Sequence, residues 1–203
     1  MPRRRRETPA EARARRSAVD DPAAVLEAAA RLLEVRPRSI EEVRRRLHDA
    51  GYRPDLVGGA VARLIALGYL DDAAFARSWV ESRDRVRPRG ARALRDELRR
   101  KGVSAEDVEA ALAAREASAT RLDEDEPAPG GSGGERATSR VSDEESAFRL
   151  LARRGGAVLR EPDARKRRAK AYALLARNGF DPDVCASVAA AWRAAEVEPS
   201  PGA

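Results

Sequence analysis

Residues 39–64 read SIEEVRRRLHDAGYRPDLVGGAVARL, and the glycine at the centre of this stretch decides the fold. Leu47 stands four residues before Gly51. That spacing fits the last turn of an amphipathic helix closed by a glycine in the left-handed region. Pro54 then suits the first position of a second helix, where its missing N–H would have had no partner anyway. Tyr52 and Val57 bracket this second start as a hydrophobic staple, and Ser39 with Glu42 has the spacing of a capping box for the first helix. Arg53 is a poor cap, a local departure from the pattern. The stretch predicts helix, tight turn, helix.

The same device occurs twice more, in GARALRDELRRKGVSAEDVEAALAAR (90–115) and RKRRAKAYALLARNGFDPDVCASVAAAW (165–192). Leu98 and Leu175 precede Gly102 and Gly179 by four residues; Val103 and Phe180 follow them by one. Val108 and Cys185 complete the staples, with Ser104 and Asp181 as expected N-caps and Pro182 at a first helical position. The glycines lie 51 and 77 residues apart, and an inserted segment accounts for nearly all of the difference. A further helix is expected before each pair, at about 22–35, 71–86 and 143–154. The predicted architecture is all-α: three tandem three-helix, helix-turn-helix-like modules in an elongated array.

The adjacent aspartates of GYLDDAAF (68–75) invite a catalytic or metal-binding reading. Helix initiation is the better one. Asp71 is placed to accept from first-turn N–H groups, and Asp72 to meet the positive end of the helix dipole. Consecutive helical residues point about 100° apart, so the two carboxylates diverge and chelate poorly. Leu70 and Phe75 form another staple, and Phe75, Trp79, Val80 and Val86 are expected to continue a core stripe.

With 4% aromatic residues and alanine prominent, the composition favours helices over strands. The net charge of +6 points toward polyanions or an acidic protein surface. One cysteine, Cys185, and one histidine, His48, exclude an intrachain disulfide and a cysteine- or histidine-rich metal site. Cys185 is expected to be a buried small apolar residue and His48 a surface residue. No nucleophile–base pairing, phosphate loop or metal-ligand spacing is present, so an enzyme is disfavoured and no catalytic, metal or cofactor residue is assigned. No apolar run reaches the roughly 18 residues of a membrane span, and the arginine-rich start lacks a secretory apolar core. The chain is expected to be soluble, cytoplasmic and monomeric.

The expected layout is a disordered basic arm (1–20), module one (21–70), module two (71–115), a flexible acidic and Gly/Ser/Pro-rich linker (116–142), module three (143–195) and a disordered tail (196–203).

GYLDDAAFARSWVESR followed by RPRGARALRDELRRKGVSAEDVEAAL resembles the RecX family of recombinase regulators. LLEVRPRSIEEVRRRLHDAGY is similar to that family's opening module, and KAYALLARNGFDPDVCASV to its closing one. Gly68, Tyr69, Leu70, Asp71, Asp72 and Phe75 carry the structural part of the motif. The resemblance implies an all-helical chain that binds the RecA recombinase filament and modulates, usually by inhibition, its recombination and coprotease activities, thereby regulating DNA repair. It implies no cofactor.

The positive charge sits on particular helices. Residues 83–101 hold nine basic and three acidic side chains, and residues 153–170 eight and two, which is more cation than local i,i+4 pairing could balance. The filament-binding candidates are therefore Arg83, Arg85, Arg87, Arg89 and Arg92, then Arg95, Arg99, Arg100 and Lys101. In module three they are Arg165, Lys166, Arg167, Arg168 and Lys170. Arg89, Arg92, Arg95 and Arg99 are expected to be mostly solvated because they fall off the face of Leu94 and Leu98. Direct DNA binding by the helix-turn-helix pairs is the alternative. The second helix of each pair, however, offers only Arg63 as a side chain suited to reading bases. Weak electrostatic contact with single- or double-stranded DNA is the secondary expectation.

Overall fold

The computed structural model describes residues 7–120 and 143–192, and among these it contains eleven helices and no strand. They are α1 (Pro9–Ser17), α2 (Pro22–Val35), α3 (Ile40–Ala50), α4 (Pro54–Ala66), α5 (Asp72–Val86) and α6 (Ala91–Arg100). There follow α7 (Ala105–Thr120), α8 (Asp143–Arg154), the single turn α9 (Gly156–Leu159), α10 (Ala164–Arg177) and α11 (Pro182–Ala191). The fold is a helical repeat. Gly51, Gly102 and Gly179 turn the hairpins α3–α4, α6–α7 and α10–α11 with φ of 102°, 81° and 84°. The residues after two of these glycines close the helix ends, since Tyr52 N donates to the Leu47 carbonyl and Phe180 N to that of Leu175. Gly68 is a fourth left-handed glycine, at the end of α4.

Two compact units make up the chain. Among the described residues, one comprises 7–75 together with 99–105, and the other comprises 76–98, 106–120 and 143–192.

The first unit closes around Val25, Ala29, Val43, Leu47, Val57, Val61 and Leu64, all almost fully buried. Val57 occupies the staple position and is fully buried, while Tyr52 is partly buried against the same cluster. The Ser39–Glu42 capping box is present at the start of α3. The turn at 101–102 lies on that helix start: Ser39 Oγ donates to the Lys101 carbonyl, and a Cβ on Gly102 would come within 2.3 Å of Glu41 Cβ.

The second unit contains the core of Leu150, Leu151, Ala171, Leu175, Phe180, Cys185 and Val188. Within it the residue before α6 meets the α10–α11 turn. Gly90 N donates to the Asn178 carbonyl at 3.1 Å, and a Cβ on Gly90 would lie 2.2 Å from the carbonyl oxygen of Gly179. Only glycine permits so close a backbone approach.

Several expectations are corrected. Residues 9–17 of the predicted disordered arm form α1, because Thr8 and Glu11 make a reciprocal capping box with Pro9 at the first position. Arg16 ties this helix to the Ala50 carbonyl at 3.3 Å. The remainder of the arm, residues 1–6, lies outside the described residues, as do the tail and residues 121–142 of the predicted linker. The start of that linker, 116–120, is the last turn of α7. Module three carries the additional turn α9. Val86 is not core but 73% exposed, at the end of α5. Asp181 occupies the N-cap of α11 without a side-chain capping bond. His48 is half-buried rather than on the surface.

Candidate partner-binding surface

The paired aspartates serve two helix starts. Asp71 Oδ1 accepts from Ala74 N at 2.9 Å, the N-cap bond of α5. Asp72 Oδ1 accepts from Ile40 N, at the first position of α3, also at 2.9 Å. Each carboxylate satisfies a donor that helical geometry leaves over, and Asp72 ties α5 to α3. The divergence expected from helical geometry holds; the second destination, on another helix, was not legible. Leu70 and Phe75 are buried beside them, and Tyr69 is 70% exposed.

The basic candidates divide into engaged and exposed groups. Arg83 Nε donates to Glu97 at 2.7 Å, and its guanidinium lies over the Trp79 ring at 4.2 Å. Trp79 Nε1 donates to the same carboxylate. Arg89 is half-buried and donates to Asn178 Oδ1 at 3.0 Å; burial, then the neighbouring arginines, lower its pKa. Arg95 makes a two-pronged bond to Glu109 at 2.9 and 3.0 Å. Arg89 and Arg95 are therefore not mostly solvated as expected, because Asn178 and Glu109 reach them from other elements. Arg92 is exposed, with a long 3.4 Å contact to the Ala176 carbonyl. Arg85, Arg87, Arg99 and Arg100 are exposed.

Lys101 belongs to the first unit's interior. Its Nζ lies 3.0 Å from Glu42 Oε1 and 5.8 Å from the centre of the Phe75 ring. Glu42 also accepts from Arg36 at 3.1 Å. Burial raises the Glu42 pKa, but hydrogen bonds and charge from Arg36 and Lys101 outweigh it and bring the group from 4.5 down to about 2.

On α10 the balance differs. Arg165, Lys166 and Arg168 are exposed. Arg167 donates to the Glu161 carbonyl at 2.7 Å, and Lys170 pairs with the Glu161 carboxylate. A basic patch therefore lies on the first turn of this helix.

Beneath these surfaces lies a buried ionic cluster that sequence reasoning missed. Arg115 of α7 holds Asp84 of α5 with two hydrogen bonds, at 2.8 and 3.0 Å, and also pairs with Asp143 of α8. Ser146 Oγ accepts from Arg115 at 2.6 Å and donates to Asp84 at 2.8 Å. Asp143 Oδ2 receives Ala91 N, at the start of α6. Burial pushes the Asp84 carboxyl above its ordinary value, against the opposing pull of Arg115 and Ser146. No local pattern announces this cluster, whose members come from three helices well apart in sequence. A cavity of 650 Å³ opens beside it, lined by Arg95, Glu109, Arg115, Glu116, Asp143 and Asp181 among others.

No group of three His, Cys, Asp or Glu residues among the described residues is placed to hold a metal ion. Cys185 is fully buried, and burial raises its thiol pKa. No described helix is long and apolar enough to cross a membrane.

Two family models match, the RecX first three-helix domain at residues 26–64 and the RecX second three-helix domain at 71–112. A protein of Mycobacterium avium named regulatory protein RecX is 34% identical over 168 residues, covering 83% of this chain and 84% of the relative. The chain belongs to the RecX family. The RecX protein of Mycobacteroides abscessus is 47% identical over 83 residues, and that match spans 41% of its length, well under two thirds. The crystal structure of RecX from Lactobacillus salivarius aligns with a TM-score of 0.64 at 20% identity, covering 83% of this chain and 94% of the other. That likeness establishes a shared RecX fold.

Proposed function

We propose that this RecX-family chain is a non-enzymatic regulator that binds the RecA recombinase filament and inhibits its recombination and coprotease activities, and so regulates DNA repair. Membership of a family whose relatives are named regulatory protein RecX carries the reading. The exposed cations support it, since they suit a polyanionic or acidic polymer surface. Arg85, Arg87, Arg92, Arg99 and Arg100, with Arg165, Lys166 and Arg168, are the proposed contact residues. Arg83, Arg89, Arg95, Arg167 and Lys101 act mainly within the fold, and Lys170 is exposed but paired with Glu161. Weak electrostatic contact with DNA is secondary, and the regulator acts as a cytoplasmic monomer.

The test is co-sedimentation with RecA filaments assembled on single-stranded DNA, alongside DNA alone. Co-sedimentation that needs RecA is the expected result. Equal co-sedimentation with bare DNA identifies a direct DNA binder and overturns the proposal.

A further inference from the structure

Between α9 and α10 lies a second, smaller cavity of 270 Å³, lined by Ala157, Val158, Ala173 and Leu174 and rimmed by Arg154, Lys170 and Arg177. On α10, Lys170, Leu174 and Arg177 recur at helical spacing, so one face presents an apolar centre with a cation at each end. Arg154 supplies a third cation from the end of α8. Glu161 neutralises part of this charge through Lys170, but Arg154 and Arg177 are exposed. Val158 is only 5% exposed and forms part of the underlying core, which gives the apolar floor a fixed backing.

The volume falls below the range of about 300–1,000 Å³ usual for small-molecule sites, and suits one bulky side chain rather than a whole ligand. The floor is aliphatic. It offers no aromatic ring for a nucleobase to stack on, which single-stranded nucleic acid sites ordinarily provide. Carboxylates flanking a buried apolar side chain would meet the arginines through charge-assisted hydrogen bonds. We propose that this slot docks an acidic protein segment bearing one large apolar residue, with its acids on the Arg154 and Arg177 rim. The inference does not depend on the filament-binding reading.

The probe is a fluorescein-labelled peptide with the sequence Asp-Glu-Asp-Phe-Asp-Glu-Asp, followed by fluorescence anisotropy with the full chain. Replacing its phenylalanine by serine should weaken binding by roughly tenfold or more, the consequence of losing one buried aromatic side chain. Arg154→Glu with Arg177→Glu should weaken the phenylalanine peptide by at least roughly tenfold through lost charge-assisted bonds. Ala157→Gln, which fills the slot without altering charge, should weaken it as well. Circular dichroism checks that each variant remains helical. Equal binding of the phenylalanine and serine peptides would reduce the site to general electrostatics and overturn the proposal. So would unchanged binding to helical Ala157→Gln. Labelled oligothymidylate provides the remaining comparison. If it displaces the peptide and loses its own binding in the same variants, the slot is a nucleic-acid site instead.

Discussion

Residues 83–101 and 153–170 carry the same net charge of +6, and in both the fold draws some cations to partners and leaves others exposed. In the first segment Arg83, Arg89, Arg95 and Lys101 are drawn to Glu97, Asn178, Glu109 and Glu42. Arg85, Arg87, Arg92, Arg99 and Arg100 of that segment are exposed; in the second, Arg165, Lys166 and Arg168 are exposed while Arg167 and Lys170 are held by Glu161. The difference teaches that formal charge in a segment is not presented charge. What matters is which acids the fold brings to it. An exposed ion pair contributes little to stability, whereas breaking a buried one leaves a charge without water or partner.

The comparison would break first at Arg115. Arg115→Ala removes the partner of Asp84 and Asp143 at a site 5% exposed, and should destabilise the fold by about 3–5 kcal/mol in a denaturant titration. A change within about 0.5 kcal/mol would mean that this arginine behaves like the exposed ones.

Acid sharpens the contrast next. The Glu42 pKa is depressed to about 2, so its contribution is present above the unfolded value near 4.5 and lost as pH falls toward 2. The shift corresponds to about 3 kcal/mol at neutral pH. Stability followed from pH 7 to pH 2 should therefore drop across this window. Glu42→Gln should reduce that slope, and an unaltered slope would dissociate Glu42 from it.

A smaller effect is expected at the aspartate pair. Asp71→Ala should cost about 0.5–2 kcal/mol, the usual consequence of losing an N-cap. Asp72→Ala should cost a comparable amount through the start of α3, and chelators should change neither value. Thermal melts of both variants, with and without EDTA, make the check.

The smallest change in stability belongs to the exposed cations of α10. Reversing Arg165, Lys166 and Arg168 to glutamate should shift stability by no more than about 0.5 kcal/mol per site while weakening co-sedimentation with RecA filaments. The matched reversal of Arg83, Arg89 and Arg95 should instead lower the melting temperature. Equal melting temperatures for the two triple variants would erase the distinction between engaged and exposed cations.

Much of the fold was legible because it is written in short-range signals. The left-handed glycines, the leucines four residues before them and the buried staples Val57, Val108 and Cys185 all act within one or two helical turns. The α1 capping box was equally local, in TPAE at residues 8–11, but the surrounding run of arginines obscured it. Asp71 could be placed for the same reason, since an N-cap bonds its own helix.

The sequence by itself determined the helices, their ends and the repetition, because backbone capping and apolar periodicity are settled by near neighbours. Only the tertiary structure decided which charges are available. Arg115, Asp84 and Asp143 sit on three helices, and Asp72 reaches the start of a helix 32 residues earlier. A charged side chain carries no periodic mark of burial, so its environment is set by long-range packing. That packing separates the arginines that hold the fold from those it leaves exposed.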